Sequence, residues 1–453
     1  MNSKAKVGFV CFGEINTPYE RLEILRDDAL QALGALQADI VDAGIVIDDS
    51  AYETAEKAIA KLKAAEFSSL IVCIAGWVPT HAVVKVTDVF RHMPMVLWGL
   101  KGWREGDLIL STAPQAGSTA ARGALDALGY TFKYVYSAMD QPHPVGKIDA
   151  FVRAAHAAAC LRNARVGSMG YRDMLLYGTQ FEGNSMRGQL GVEVETFEML
   201  EMVGNIEKLD PKDVDAGVQF VKDNWVIDGE VDDVVIENGV KYALAIGMKI
   251  KERGYEAVTL LDVDGMKKLM GFPPAMVFML LDHYYGVQVT PENDVMGNVT
   301  QLMLHYITGE QIQYLEYYEF LKEGMIAGVP DFIIKSVTDG DVHMLPAAFG
   351  LLSASLSNVS KVRPGYVTCA RLYYKNGQYY MHMYTGDGKR PPKWTEFGWD
   401  DPVPMLPSLE IAPDSCTVEE FADKVTSQHV IVAYGDQSEP LKDLCRLLDI
   451  KVV

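Results

Sequence analysis

The chain has no long hydrophobic run, no excess of positive charge and few cysteines, and each absence narrows what it can be. Its longest apolar stretch, SSLIVCIAGWV, is too short to cross a bilayer. Lys and Arg number 41 against 61 Asp and Glu, a net charge of −20. Phosphate backbones need clustered basic side chains and anionic membranes repel acidic ones, so neither nucleic acid nor membrane is an expected partner. The six cysteines (Cys11, Cys73, Cys160, Cys369, Cys416, Cys445) are widely spaced with no CxxC, which predicts reduced thiols. The N-terminal MNSKAKVGFVCFG carries charges but no apolar core with a cleavage site, so a cytoplasmic location is expected. GxxxxGK[ST], HExxH and GxSxG are all missing, and GFVCFG lacks the dinucleotide-binding spacing.

What is present is a regular alternation. KVGFVCFG, ADIVDAGIVI, SSLIVCIAG and PMVLWGL read as strands separated by helical stretches such as YERLEILRDDALQALGAL and AYETAEKAIAKLKAAEF. Strands alternating with helices of this length imply a doubly wound parallel sheet, whose ligands sit beyond the carboxyl ends of the strands. Trp77 falls at such an end. A second α/β unit begins near ARVGSMGYR, with strand ends at VEVETFEML, EAVTLLDVDG and YGVQVTPEND. After about residue 310 the chain turns to short β runs. RLYYKNGQYYMHMY, built around Asn376-Gly377, is a strong hairpin signal. The expected architecture is two doubly wound α/β domains, residues 1–165 and 166–310, followed by a β-rich, barrel-like domain, residues 311–453.

Three segments carry candidate chemistry. LLDVDG places Asp262 and Asp264 after an apolar run, PENDV places Glu292 and Asp294 before an apolar helix, and His429 precedes the β run of QHVIVAYGD. In a parallel sheet the first two loops open at the same edge, so their carboxylates can converge on one cation. Two carboxylates and an imidazole suit Mn²⁺ or a similar fairly hard divalent cation. Each segment also has a structural reading: the acids serve equally well as helix N-caps, and a lone histidine before a strand is commonly structural.

These segments, in this order, resemble the L-fucose and L-arabinose isomerase superfamily, the fucose isomerase side more closely. ARVGSMGYRDMLLYGTQFEGNSMRGQLGVEVETFEMLEM is similar to the opening of that family's second domain. EAVTLLDVDGMKKLMGFPPAMVFMLLDHYYGVQVTPENDVMGNVTQLML is similar to its central block, and SQHVIVAYGDQSEPLKDLCRLLDIKVV to its closing block. The resemblance implies a Mn²⁺-dependent aldose–ketose isomerase acting on a monosaccharide through an ene-diol. It also implies a homo-oligomer, commonly a hexamer. Asp294 matches the ligand Asp of an E-x-D motif and His429 the ligand His. The family's third ligand is a Glu, but counting back from GFPPA puts Gly265 there with Asp264 just before it. Either Asp264 stands in through a one-residue slip or the site has one acid fewer. The resemblance thus implies Asp264, Asp294 and His429 as metal ligands, with Asp264 and Asp294 also moving the proton. Glu292, Arg172, Gln180, Asn184 and Trp77 are candidates for holding sugar hydroxyls. Two other readings remain: a family member that binds a sugar or sugar acid without isomerising it, and a metal-dependent isomerase of an acidic or modified sugar.

Overall fold

A computed structural model describes residues 4–330, 332–346, 355–395 and 405–453. The chain forms two compact units, residues 1–159 with 439–447, and residues 160–438 with 448–453.

The first unit holds strands β1 (Ala5–Phe12), β2 (Ala38–Val46), β3 (Ser69–Ile74), β4 (Met95–Gly99) and β5 (Phe132–Tyr136), in the order β2-β1-β3-β4-β5. Every pairing is parallel. A parallel sheet covered on both faces needs continuously apolar strands, and β3 and β4 are buried throughout. The covering helices bury one stripe each: on the Glu53–Lys63 helix it is Ala55, Ala58, Ile59 and Leu62. The Ser438–Leu447 helix also contributes to this unit, where Lys133 pairs with Glu439 at 2.9 Å and Asp443 at 2.6 Å.

The second unit contains a parallel sheet and a barrel. The sheet strands are β6 (Arg165–Met169), β7 (Glu193–Phe197), β8 (Ala257–Leu260) and β9 (Gln288–Thr290), ordered β9-β8-β6-β7. The barrel strands are β10 (Gln313–Phe320), β11 (Met325–Gly328), β12 (Gly365–Lys375), β13 (Gln378–Lys389), β14 (Ser408–Pro413) and β15 (His429–Tyr434). Antiparallel pairing runs β10-β11-β14-β13-β12-β15 and back to β10, closing six strands. Closure removes the sheet edges that short antiparallel strands would otherwise expose. The β12–β13 hairpin turns at Asn376 (φ 53°) and Gly377 (φ 80°), the two left-handed positions that an Asn-Gly turn supplies.

The Val295–Thr308 helix joins the two layers. It packs on β8 and β9 and on barrel strands β12 and β15, and Thr300 Oγ1 accepts the Leu372 N–H at 3.0 Å. Lying between two layers, it is buried nearly all round, which accounts for its apolar sequence. This helix also places the end of β9 next to the start of β15. No helix among the described residues is long and apolar enough to cross a membrane.

Candidate metal centre

The PENDV loop leaves β9 and enters the Val295–Thr308 helix through two non-glycine residues in the left-handed region, Glu292 at φ 62° and Asn293 at φ 51°. Such backbone persists only where its surroundings hold it, and here every turn of the loop is tied down. Buried Asp262 accepts the Glu292 N–H at 2.5 Å. Leu260 O accepts the Asn293 N–H at 3.0 Å. The Asn293 side chain donates to Ser168 Oγ and Met169 O at the end of β6. Thr259 and Thr290 hydroxyls close on Pro291 O and Asp294 O. The Glu292 carboxylate is therefore presented by a rigid frame.

It meets two barrel residues. Glu316 on β10 and His429 at the head of β15 are cross-strand partners. One ligand atom from each of Glu292, Glu316 and His429 lies within 4.8 Å of the others. His429 is fully buried, and its Nε2 stands 2.9 Å from Glu292 Oε2, whose side chain is 12% exposed. The two atoms are at ion-pair distance but not in hydrogen-bond alignment, so both are buried without a hydrogen-bond partner. Buried polar atoms left in this state call for an explanation, and a cation shared between them provides one.

Asp294 stands behind this trio. It caps the helix by accepting the Gly297 N–H at 3.0 Å. It also accepts from both terminal nitrogens of buried Arg371, at 2.9 Å for the Nη2–Oδ1 contact, and its Oδ2 is 2.8 Å from His429 Nδ1. Burial alone would raise its carboxyl pKa, but Arg371 and His429 hold it well below the usual carboxylate range. A carboxylate on Nδ1 keeps that nitrogen protonated and leaves the Nε2 lone pair for a metal. Tyr314 packs edge-on against the imidazole, with ring centroids 4.9 Å apart, and donates its hydroxyl to Glu316 Oε1 at 3.1 Å.

The charges fit a divalent ion. With a neutral imidazole, three carboxylates (Glu292, Asp294, Glu316) against one guanidinium (Arg371) leave two negative charges, which one divalent cation balances. The donor set, two carboxylates and one imidazole, matches the fairly hard metals.

A pH prediction follows. In the metal-free protein, burial pushes the His429 pKa down, but the Asp294 and Glu292 carboxylates outweigh it and hold the imidazolium up to about 9. Metal binding needs neutral Nε2, so uptake at pH 7 should release a proton. Apparent affinity should rise about tenfold per pH unit until about pH 9, where the raised pKa is passed. Calorimetry in buffers of different ionisation heat counts that proton, and a count of zero at pH 7 contradicts this picture.

The other expected site residues lie elsewhere. Asp264 does not join the trio: it sits in the π-helical turn Asp262–Lys267, pairs with Lys268 at 2.7 Å and accepts the Met174 N–H at 2.9 Å. Its side chain is fixed by Lys268 and by the Met174 backbone, and it is not among the groups that meet at His429. Asp294 is near the centre, but as the partner of His429 and Arg371. Arg172 holds its own loop, donating to Leu176 O at 2.8 Å and to Leu175 O, and stacks over Tyr177. Gln180 and Asn184 are exposed. Trp77, in the first unit, is 39% exposed. Glu316 and Arg371 were not expected. Both are charged residues on barrel strands, Glu316 within the aromatic run QYLEYYEF. A charge in such a run is the one local signal for either.

No protein-family model and no curated protein matches the chain. Among solved structures, it is similar to an ABC transporter periplasmic solute binding protein from Actinobacillus succinogenes 130z with bound D-allose. That pair shares 11% identity over 68% of this chain and 94% of that one, with a TM-score of 0.17. It is similar to a solute binding protein of an ABC transporter from Agrobacterium vitis bound with alpha-D-tagatopyranose (13% identity, 63% and 90% covered, TM-score 0.17). A third is the periplasmic binding protein component of the arabinose ABC transporter from Shewanella sp. ANA-3, bound to alpha and beta-L-arabinofuranose (12% identity, 63% and 89% covered, TM-score 0.15). Likenesses at these scores carry no argument about this chain.

Proposed function

We propose that the chain is a metal-dependent aldose–ketose isomerase whose metal is held by Glu292, Glu316 and His429. The observation that carries the reading is the buried pair Glu292 Oε2 and His429 Nε2, 2.9 Å apart and without a hydrogen bond, beside Glu316. The resemblance of the PENDV and QHVIVAYGD blocks to the fucose isomerase family supplies the reaction class. Mn²⁺ suits the donor set.

A divalent ion in this position supplies Lewis-acid polarisation of a sugar carbonyl. The protein's own groups do the rest. Isomerisation takes a proton from C2 of the open-chain aldose, moves the electron pair through an ene-diol, and returns a proton to C1. Glu292 and Glu316 are the carboxylates at hand for that transfer. Asp294 and Arg371 fix the His429 ring, and the strapped PENDV loop keeps Glu292 from swinging away. Water is excluded on the Tyr314 side, where the phenol is fully buried.

A second reading, binding of a sugar or sugar acid without turnover, is favoured by one observation. Arg371 neutralises Asp294, the carboxylate that the family resemblance makes a ligand. One experiment separates the two. The Mn²⁺-loaded protein is incubated with aldopentoses, aldohexoses and 6-deoxyaldoses in D₂O, and ketose and deuterium are followed by NMR. The isomerase reading predicts Mn²⁺-dependent ketose. Saturable sugar binding without ketose favours the second reading, and no metal-dependent binding of any sugar sinks both.

A further inference from the structure

Away from the metal centre, the second unit contains a cavity of about 150 Å³ bordered by Phe220, Asn224, Trp225, Asp282, His283 and Lys335. Asp282 lies on the Ala275–Tyr285 helix and is partly buried. Among the described residues its carboxylate has no hydrogen-bond donor and no cation. Burial, with nothing opposing it, holds its pKa up at about 7. A partly desolvated carboxyl without a donor or counter-charge favours its neutral form, and a bound cation would stabilise the charged one.

The other polar groups around the cavity are engaged. Lys335, exposed, donates its Nζ to Gly340 O at 2.8 Å. The Asn224 amide donates to Phe220 O at 2.9 Å. His283 stacks on Phe220, with centroids 4.1 Å apart and planes 16° apart, and burial lowers its pKa, which favours the neutral ring. Trp225 meets Phe220 edge-on at 6.4 Å. The cavity thus combines a carboxyl that has no hydrogen-bond donor or counter-charge with the walls of Phe220, Trp225, Met279 and Val342, beside Asn224 and Lys335. A cavity of about this size has room for a small hydrocarbon group, and aromatic faces attract cations.

We propose that this cavity binds a small primary ammonium ion, its N–H groups donating to Asp282 and its hydrocarbon part packing on Phe220 and Trp225. A primary amine is preferred because the carboxylate lacks donors as well as charge. A quaternary ammonium would satisfy only the charge, and an alcohol of the same shape only part of the hydrogen bonding.

The test uses the full chain and ligand-observed NMR titration with n-butylammonium, n-butanol and tetramethylammonium. The proposal predicts saturable n-butylammonium binding, with n-butanol and tetramethylammonium at least about tenfold weaker. Asp282→Asn should weaken n-butylammonium at least about tenfold while leaving the fold and the metal affinity unchanged, because it removes only an uncompensated charge. Phe220→Leu, which keeps the carboxylate and removes the aromatic wall, should weaken it less. Absence of saturable n-butylammonium binding overturns the proposal, as does n-butanol binding as tightly, or full affinity in the Asp282→Asn protein. Should Asp282→Asn fail to fold, loss of affinity in Phe220→Leu still supports the site and unchanged affinity there overturns it. Neither result bears on the isomerase reading, whose residues lie elsewhere.

Discussion

Glu316→Gln should lose metal binding and, with it, the proposed turnover. Glu316 brings one of the two carboxylates that face His429 Nε2, and the amide removes a negative charge while keeping size and shape. The charge count around the centre then falls from two uncompensated negatives to one, which no longer matches a divalent cation. Loss of a directly bound carboxylate should cost more than the 10- to 100-fold typical of an outer partner, so we expect Mn²⁺ affinity to drop by about 10³-fold or more. Tyr314 can still meet the amide oxygen at its present 3.1 Å from Glu316 Oε1, so the fold should survive and the effect should be confined to the site. Titration of Mn²⁺ by electron paramagnetic resonance measures the free ion directly. An affinity within threefold of the parent protein would contradict the assignment. Asp264→Asn, by contrast, should leave Mn²⁺ affinity unchanged, since Asp264 is tied to Lys268 and Met174.

The second large effect is on stability. Arg371→Ala should destabilise the metal-free protein by about 3–5 kcal/mol, because it leaves the Asp294 carboxylate fully buried with an imidazolium as its sole remaining cation. Asp294 is held below its unfolded value, so its stabilisation is complete above about pH 4, the unfolded carboxyl value, and is lost as pH falls toward the depressed folded value. Without Arg371 that depression shrinks, so the acid-side loss of stability should become shallower. Urea unfolding of both proteins with chelator present, at pH 7 and at pH 4, measures both effects. A cost under about 1 kcal/mol at pH 7 would show that the pair is not buried as described. The double substitution Arg371→Met, Asp294→Asn should recover part of the loss, since it removes both charges together.

The parallel sheets were legible in the sequence because each strand is an apolar run bounded by turn residues and each helix carries its own stripe. Asn376-Gly377 announced its hairpin because only a few residues tolerate two successive left-handed positions. The candidate metal centre was only half legible. Glu292, Asp294 and His429 lie in segments whose order can be recognised along the chain, but their roles could not be divided from local pattern. The alternatives for Asp294, cap or site residue, are in the structure a single arrangement: it caps the helix through Gly297 and orients His429 with the same carboxylate. Glu316 was missed because its place depends on the pairing of β10 with β15, which sets it opposite His429 across more than a hundred residues of chain. Arg371 was missed because it reaches Asp294, 77 residues earlier, only when β12 packs on the Val295–Thr308 helix. Counting residues back from GFPPA could not show that the Asp262–Lys267 turn directs the Asp264 carboxylate onto Lys268.

The central claim is that Glu292, Glu316 and His429 hold one divalent cation while Asp294 stands behind them. Its most direct test is a Mn²⁺-soaked crystal with diffraction recorded at the manganese absorption edge. We predict one anomalous peak within about 2.0–2.6 Å of a Glu292 oxygen, a Glu316 oxygen and His429 Nε2, with Asp294 still on His429 Nδ1 and Arg371. A peak ligated by Asp264 or Asp294 in place of Glu316, or no peak at full Mn²⁺ saturation, would contradict it.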